Sequence, residues 1–374
     1  MTQSKYHNDP RVVMTLDAGG TNFVFSAICG NREIVEPVAM KSEPNDINRC
    51  LDSLYEGFSK VKQQLADEPV AISFAFPGPA DYEHGVIGGG LPNFPAFRSG
   101  VALGPYLKAR FGIPVYINND GNMFAYGEAL AGALPAVNGM LEAKGIAKRY
   151  RNLIGITLGT GFGAGVVIDN VLLKGDNGCG GDVWLMRNKC YQNMIAEESV
   201  SIRAVRRVYA QLSGRADDAL TPKDIFDIAE GTRPGNRIAA QKSFEELGEM
   251  CGAAIANALN IVDGIVVIGG GLAGASKYIL PAVVGELRSR LSTFGGDEFA
   301  CTQMEVLNLT DSADCERFAV STEQLMPVYG SDESVAFDFG KRTGITVSTL
   351  GTSRAIALGA YAYALNELDK TAKP

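Results

Sequence analysis

One short design occurs twice in this chain, once in each half. LDAGGTNFVFSAI (16–28) and ITLGTGFGAGVVI (156–168) each read as an apolar strand, a turn rich in glycine and threonine, and a second apolar strand. A duplicated strand–turn–strand restricts the fold, because two such hairpins, one in each half, could face each other across a cleft and grip a phosphate chain from both sides. At 374 residues the chain is too long for one compact core, which points to two domains or to two lobes around a cleft.

A glycine turn lets successive backbone N–H groups point into one concavity, which suits phosphate oxygens, and threonine adds a hydroxyl donor without bulk. Gly19, Gly20, Thr21 and Asn22 supply this chemistry in the first copy, and Gly159, Thr160 and Gly161 in the second. Each turn alone reads more readily as an ordinary hairpin; the matched pair reads as a phosphate clamp. Asp17 is the odd member, since a carboxylate repels phosphate unless a cation intervenes. It is therefore a candidate for holding Mg²⁺, directly or through water. A third glycine turn, GGGLAG (269–274), follows the strand DGIVVIG and satisfies G-x-G-x-x-G. Glu286 lies too near it to be the ribose-binding acid of a dinucleotide site, and the fingerprint alone is weak. The P-loop pattern G-x-x-x-x-G-K-[ST] is absent from the sequence.

Apolar runs predict strands at RVVMTLD, FVFSAICG, REIVEPVAM, VAISFAF (70–76) and PVYIN (114–118). Ile47, Leu51, Leu54, Phe58, Val61 and Leu65 predict a helix over 46–66. VALGPYLKARFG predicts a shorter helix stopped by Gly112, and residues 120–134 and 353–365 predict two more. The stretch 195–262 reads as mostly helical, with Arg203, Arg206 and Arg207 on a solvated face. The polar, basic segment 135–151 reads as a surface excursion, and 300–345 as irregular.

PVYINNDGNMFAYGE (114–128) ends a strand in Asn118, Asn119 and Asp120 and begins a helix there. That places a carboxylate and two amides at the carboxyl end of a strand, where α/β proteins hold ligands. Asp120 reads either as an N-cap or as a general base taking a hydroxyl proton. PGP (77–79) and LPNF (91–94) are loops that could line the same pocket, the second with Asn93.

The net charge of −8 argues against a nucleic-acid surface. There is no run of about 18 apolar residues and no apolar segment at the start, so neither a membrane span nor a secretory signal is expected. Seven scattered cysteines (29, 50, 179, 190, 251, 301, 315) suit free thiols in a reducing compartment, and the expected location is the cytoplasm.

Taken in order, LDAGGTN, the NND of 118–120 with Ala125 and Gly127-Glu128, LGTGFGAGVV, VVIGGGLA and the terminal ALGAYAYAL resemble the ROK family of sugar kinases and sugar-responsive regulators. That family is part of the actin/hexokinase-like ATPase superfamily. The resemblance implies a two-lobed α/β, actin-like (ribonuclease H-like) fold with a cleft between the lobes. The smaller lobe would be residues 1–118 completed by a helix at 352–370, and the larger 119–351. It implies an ATP- and Mg²⁺-dependent kinase of carbohydrate metabolism, of glucokinase type, acting on the 6-hydroxyl of glucose or a related aldohexose, with Asp120 as base. Gly78, Asn93, Asn119, Asp182 and Glu197, with Glu198 as the neighbouring alternative, would hold the sugar. The two glycine turns would hold phosphates, Gly270 and Gly271 would lie under the adenosine, and a homodimer is expected. Family members commonly carry a histidine where this chain has Leu185, and a cysteine-rich zinc motif. Here Cys179 and Cys190 have no C-x-x-C and no nearby histidine, so no zinc site is expected. The altered 175–201 segment motivates an alternative, a non-catalytic sugar-binding regulator. The short stretch before the first strand leaves no room for a DNA-binding domain and favours the kinase.

Overall fold

The computed structural model describes residues 5–214 and 219–371. The chain divides into two compact units. Among the described residues, one comprises 5–135, 164–181 and 348–371, and the other 136–163, 182–214 and 219–347. We call them the N-terminal and C-terminal units.

The N-terminal unit is built on a sheet of β1 (Val13–Ala18), β2 (Asn22–Cys29), β3 (Arg32–Glu33), β4 (Val38–Lys41), β5 (Ala71–Ala75) and β8 (Val115–Asn118). The order is β3-β2-β1-β5-β8, with β4 also on β2. β1 and β2 are antiparallel across LDAGGTN, with Ala18 opposite Phe23. β5 and β8 run parallel to β1. Alternation of side chains along β1 divides the core. Met14 and Leu16 join Phe25, Phe74 and the apolar stripe of α1 (Ile47–Lys62). Val13 faces the other way, with Ala71 and with Leu358, Tyr361 and Leu365 of α10 (Thr352–Thr371). Asp46 caps α1 by accepting from Asn48 N at 3.0 Å. A small β6–β7 hairpin (Ala80–Asp81, Val86–Ile87) and α2 (Leu103–Phe111) link β5 to β8, and Gly112 ends α2 at φ 70°.

The expected strand 32–40 is two strands, because Pro37 lacks the N–H needed to continue the ladder. The expected helix 120–134 stops as α3 at Leu130. A new helix, α4 (Ala133–Ala143), occupies the start of the expected excursion, with Leu134, Val137 and Leu141 buried at helical spacing. Gly132 marks the break. A Cβ there would stand 2.2 Å from Glu128 Oε2, which accepts instead from Ala133 N at 2.9 Å.

The C-terminal unit carries four parallel strands in the order β9 (Leu153–Leu158), β12 (Ile265–Gly269), β18 (Arg342–Val347), β15 (Glu305–Asn308). The second glycine turn leads from β9 into β10 (Phe162–Ile168), whose far end pairs with β11 (Val171–Leu172) in the N-terminal unit. Helices α5 (Ile202–Ser213), α6 (Pro222–Glu230), α7 (Arg237–Val262), α8 (Ser276–Leu287) and α9 (Ser312–Phe318) complete the unit. The expected irregular segment 300–345 holds β15, α9 and β18. It also holds an exposed hairpin, β16–β17 (Glu323–Pro327, Ser334–Asp338), preceded by another, β13–β14 (Arg290–Ser292, Glu298–Ala300). The division differs from the one expected at 118/119: α3 and 164–181 go with the N-terminal unit. All seven cysteines are free thiols; Cys50 and Cys251 are buried, Cys179 and Cys190 exposed.

Candidate active site

In the N-terminal unit the parallel register brings the carboxyl ends of β1, β5 and β8 to one edge. Asp17, Gly78 and Asn119-Asp120 all lie at that edge, the ligand position of open α/β sheets. The first glycine turn is tight. A Cβ on Gly19 would stand 2.7 Å from Asn22 O, and one on Gly20 would stand 3.3 Å from Asn93 Cβ, so Asn93 lies against the turn. Buried Ser42 pins the turn from below, donating from its hydroxyl to Gly20 O at 2.7 Å and from its N–H to Thr21 O at 3.1 Å. Asp17, Thr21 and Asn22 are exposed. Asp17 is an exposed carboxylate beside the first glycine turn, a hard oxygen donor of the kind that suits Mg²⁺, which keeps most of its waters. Gly78 precedes a cis peptide bond to Pro79, and Tyr82 donates to Phe76 O at 2.9 Å just before it.

The two readings of Asp120 separate here. The N-cap of α3 (Asp120–Leu130) is Asn119, whose Oδ1 accepts from Gly121 N at 2.7 Å and Asn122 N at 3.2 Å. Asp120 is the first helical residue, exposed, accepting from Gly121 N at 2.9 Å. A buried amide that sequence reasoning did not assign holds this strand-to-helix corner. Asn118 Oδ1 accepts from Asn119 N at 2.8 Å and from Asn122 Nδ2 at 2.9 Å. The i, i+4 pair of asparagines in NNDGN was the available signal.

The C-terminal unit repeats the arrangement at the ends of β9 and β12. Gly159 N donates to Gly161 O at 3.1 Å, and Ile202 N, at the start of α5, donates to Gly159 O at 2.9 Å. Gly270 has φ 90°, and a Cβ there would collide with Leu158 O at 2.3 Å, so only glycine lets the third turn approach the second. Gly271 is exposed. Glu197 and Glu198 differ in surroundings. Glu197 is half-buried, accepts from Phe162 N at 3.1 Å, and sits where a Cβ on Gly161 would lie 2.7 Å from its Oε2. Glu198 is exposed. Arg203, which reads from sequence only as part of a solvated helix face, is shared by both, bonding Glu197 Oε1 at 3.2 Å and Glu198 Oε1 at 3.3 Å, and reaches Thr160 O at 3.5 Å. Its bond to Glu197 raises its own pKa. Asp182 is exposed ahead of the 3₁₀ turn Val183–Leu185, and Leu185 is 54% exposed. Among the described residues no three His, Cys, Asp or Glu side chains come together as a metal-holding group.

Parallel strands that end in glycine turns, once in each unit, define an α/β chain of the actin-like ATPase fold. The chain belongs to the ROK family, whose model matches residues 13–313. A crystal structure of a glucokinase from Parabacteroides distasonis ATCC 8503 is 57% identical, with a TM-score of 0.88 over 97% of this chain and 99% of that one. A glucokinase of Thermotoga maritima is 27% identical over 303 residues, 72% of this chain and 89% of its own length. The fold is also that of a ROK family glucokinase from Streptomyces griseus in complex with glucose and AMPPNP (19% identical, TM-score 0.59, 94% of this chain and 98% of that one).

Proposed function

We propose that this protein is an ATP-dependent hexose kinase that phosphorylates the 6-hydroxyl of glucose or a related aldohexose. The observation that carries the reading is Asp120: it stands exposed at the carboxyl edge of the N-terminal sheet while Asn119 does the capping. Its carboxylate takes the proton of the 6-hydroxyl as that oxygen attacks the γ-phosphorus; the β–γ bridging bond breaks and ADP leaves. Asn93, Asn119, Glu197, Asp182 and the backbone at Gly78 hold sugar hydroxyls. The N–H groups of Gly19–Asn22 and Gly159–Gly161 hold phosphate oxygens and stabilise charge in transfer. Asp17 would hold Mg²⁺, which when bound neutralises phosphate charge. The relative at 57% identity bears the name glucokinase, which supports the choice of substrate.

The exposed Leu185 at the position where the family commonly has histidine favours one other reading, a sugar-binding regulator without turnover. A coupled ADP-release assay over hexoses and N-acetylhexosamines decides between them. Sugar-dependent ADP release, greatest with an aldohexose, is expected. Saturable sugar binding with no ADP release would sink the kinase.

A further inference from the structure

Glu197 stands on a segment with little regular structure of its own: two 3₁₀ turns, Val183–Leu185 and Ala196–Glu198, and an isolated bridge between Arg187 and Ile195. At its centre is a polar side chain that is 2% exposed, Asn188. Asn188 Nδ2 donates to Ile195 O at 3.2 Å and to Ser199 Oγ at 2.8 Å. Its Oδ1 accepts from Cys190 N and Tyr191 N, both at 3.0 Å. Its backbone N–H donates to Met194 O at 3.0 Å. A carboxamide offers two N–H donors and two acceptor lone pairs, and all of them are used. A buried amide satisfied this completely fixes the backbone around it, because any displacement strands a polar group out of water.

The two groups that receive from Nδ2 bracket Glu197, at 195 and 199. The carboxylate they bracket then accepts from Phe162 N beside the second glycine turn. We propose that Asn188 is a positioning residue, a side-chain clamp that sets where Glu197 meets that turn and so sets sugar affinity. The last step rests on the reading of Glu197 as a sugar-holding carboxylate.

The chain's one tryptophan, Trp184, lies on the Val183–Leu185 turn, half-exposed, and reports on this segment directly. The test compares full-length wild type, N188A, N188D and E197Q. Trypsin cleavage after exposed Arg187 and Lys189 reads the clamp; glucose titration of Trp184 fluorescence and the KM values for glucose and ATP read the site. N188A is expected to be cleaved several-fold faster and to bind glucose about tenfold more weakly, the loss of a buried hydrogen-bond set, with the KM for ATP little changed. In N188D the carboxylate cannot donate, but its protonated form can, so glucose affinity should recover as the pH is lowered, which wild type does not do. If N188A does not accumulate as folded protein, N188D carries the same comparisons. Equal trypsin rates for wild type and the Asn188 variants overturn the clamp whatever the sugar does. Weak glucose binding by E197Q with normal binding by N188A overturns the link to affinity. Normal glucose binding by E197Q overturns the role given to Glu197, and leaves the trypsin result to decide the clamp.

Discussion

Asp120 leaves the capping of α3 to Asn119 and keeps only a bond from the adjacent Gly121 N, so on the kinase reading its substitution should touch turnover far more than sugar binding. Asp120→Asn is expected to lower kcat by about 10²–10⁴ while glucose still quenches or enhances Trp184 fluorescence with an unchanged midpoint. Near wild-type kcat would mean another group takes the proton. Asp17→Asn should raise the KM for Mg-ATP more than it weakens glucose binding, measured in the same assays. Glu128 is a carboxylate of a different kind, fully buried, accepting from Ala133 N and from the Ser348 hydroxyl. Burial raises its pKa, against the lowering by those two bonds. The folded chain therefore binds a proton more tightly at Glu128 than the unfolded chain does. Its contribution is fully present below the ordinary glutamate value and is lost as pH rises through the raised one. Urea midpoints between about pH 4 and about pH 8 should show Glu128→Gln gaining on wild type as pH rises; parallel curves would refute the shift. At this scale the sequence made Asn119, Asp120 and Glu197 visible as candidates. It could not separate the cap from the carboxylate beside it, or Glu197 from Glu198, because neighbours in sequence differ only in where the backbone aims them.

Helices α3 and α10 meet through backbone. A Cβ on Gly127 would stand 1.9 Å from Ala355 O, and one on Gly359 would stand 1.8 Å from Met123 O. Gly359→Ala forces these helices apart beneath the strand-to-helix corner that carries Asp120. It should cost about 1–3 kcal/mol or more in urea unfolding. Gly139→Ala in α4, where a Cβ meets nothing, should instead be neutral or stabilise by up to about 1 kcal/mol. A Gly359→Ala variant as stable as wild type would disprove the close approach. The long periodic stripe of α1 was legible, since burial and helical period coincide there. Helix α4 was not, because Pro135 and Gly139 look like loop residues while Leu134, Val137 and Leu141 form its buried face. EVLN and RTGITV are too short and too polar in setting to be read as strands. They enter the sheet by pairing in parallel with each other, β15 on β18.

The duplication seen in the sequence corresponds to a duplication of architecture, with a glycine turn at the carboxyl edge of each unit's parallel strands. The borders of the units were not legible in the same way. Helix α3 belongs with α10 because of the close glycine contacts just described, between residues far apart in the chain, and no local composition marks them. On the kinase reading, adding a Mg²⁺ chelator to the assay of the whole protein should abolish ADP release while leaving the glucose response of Trp184 in place; loss of both would mean that a cation is needed to hold the sugar site itself. The chain also carries its own pair of attachment points for dyes. Cys179 is exposed in the N-terminal unit and Cys190 in the C-terminal unit. Brief maleimide labelling would favour these two thiols over the buried ones. Energy transfer between them would then act as a ruler across the two units, read with and without sugar and nucleotide, in a protein with no residue changed.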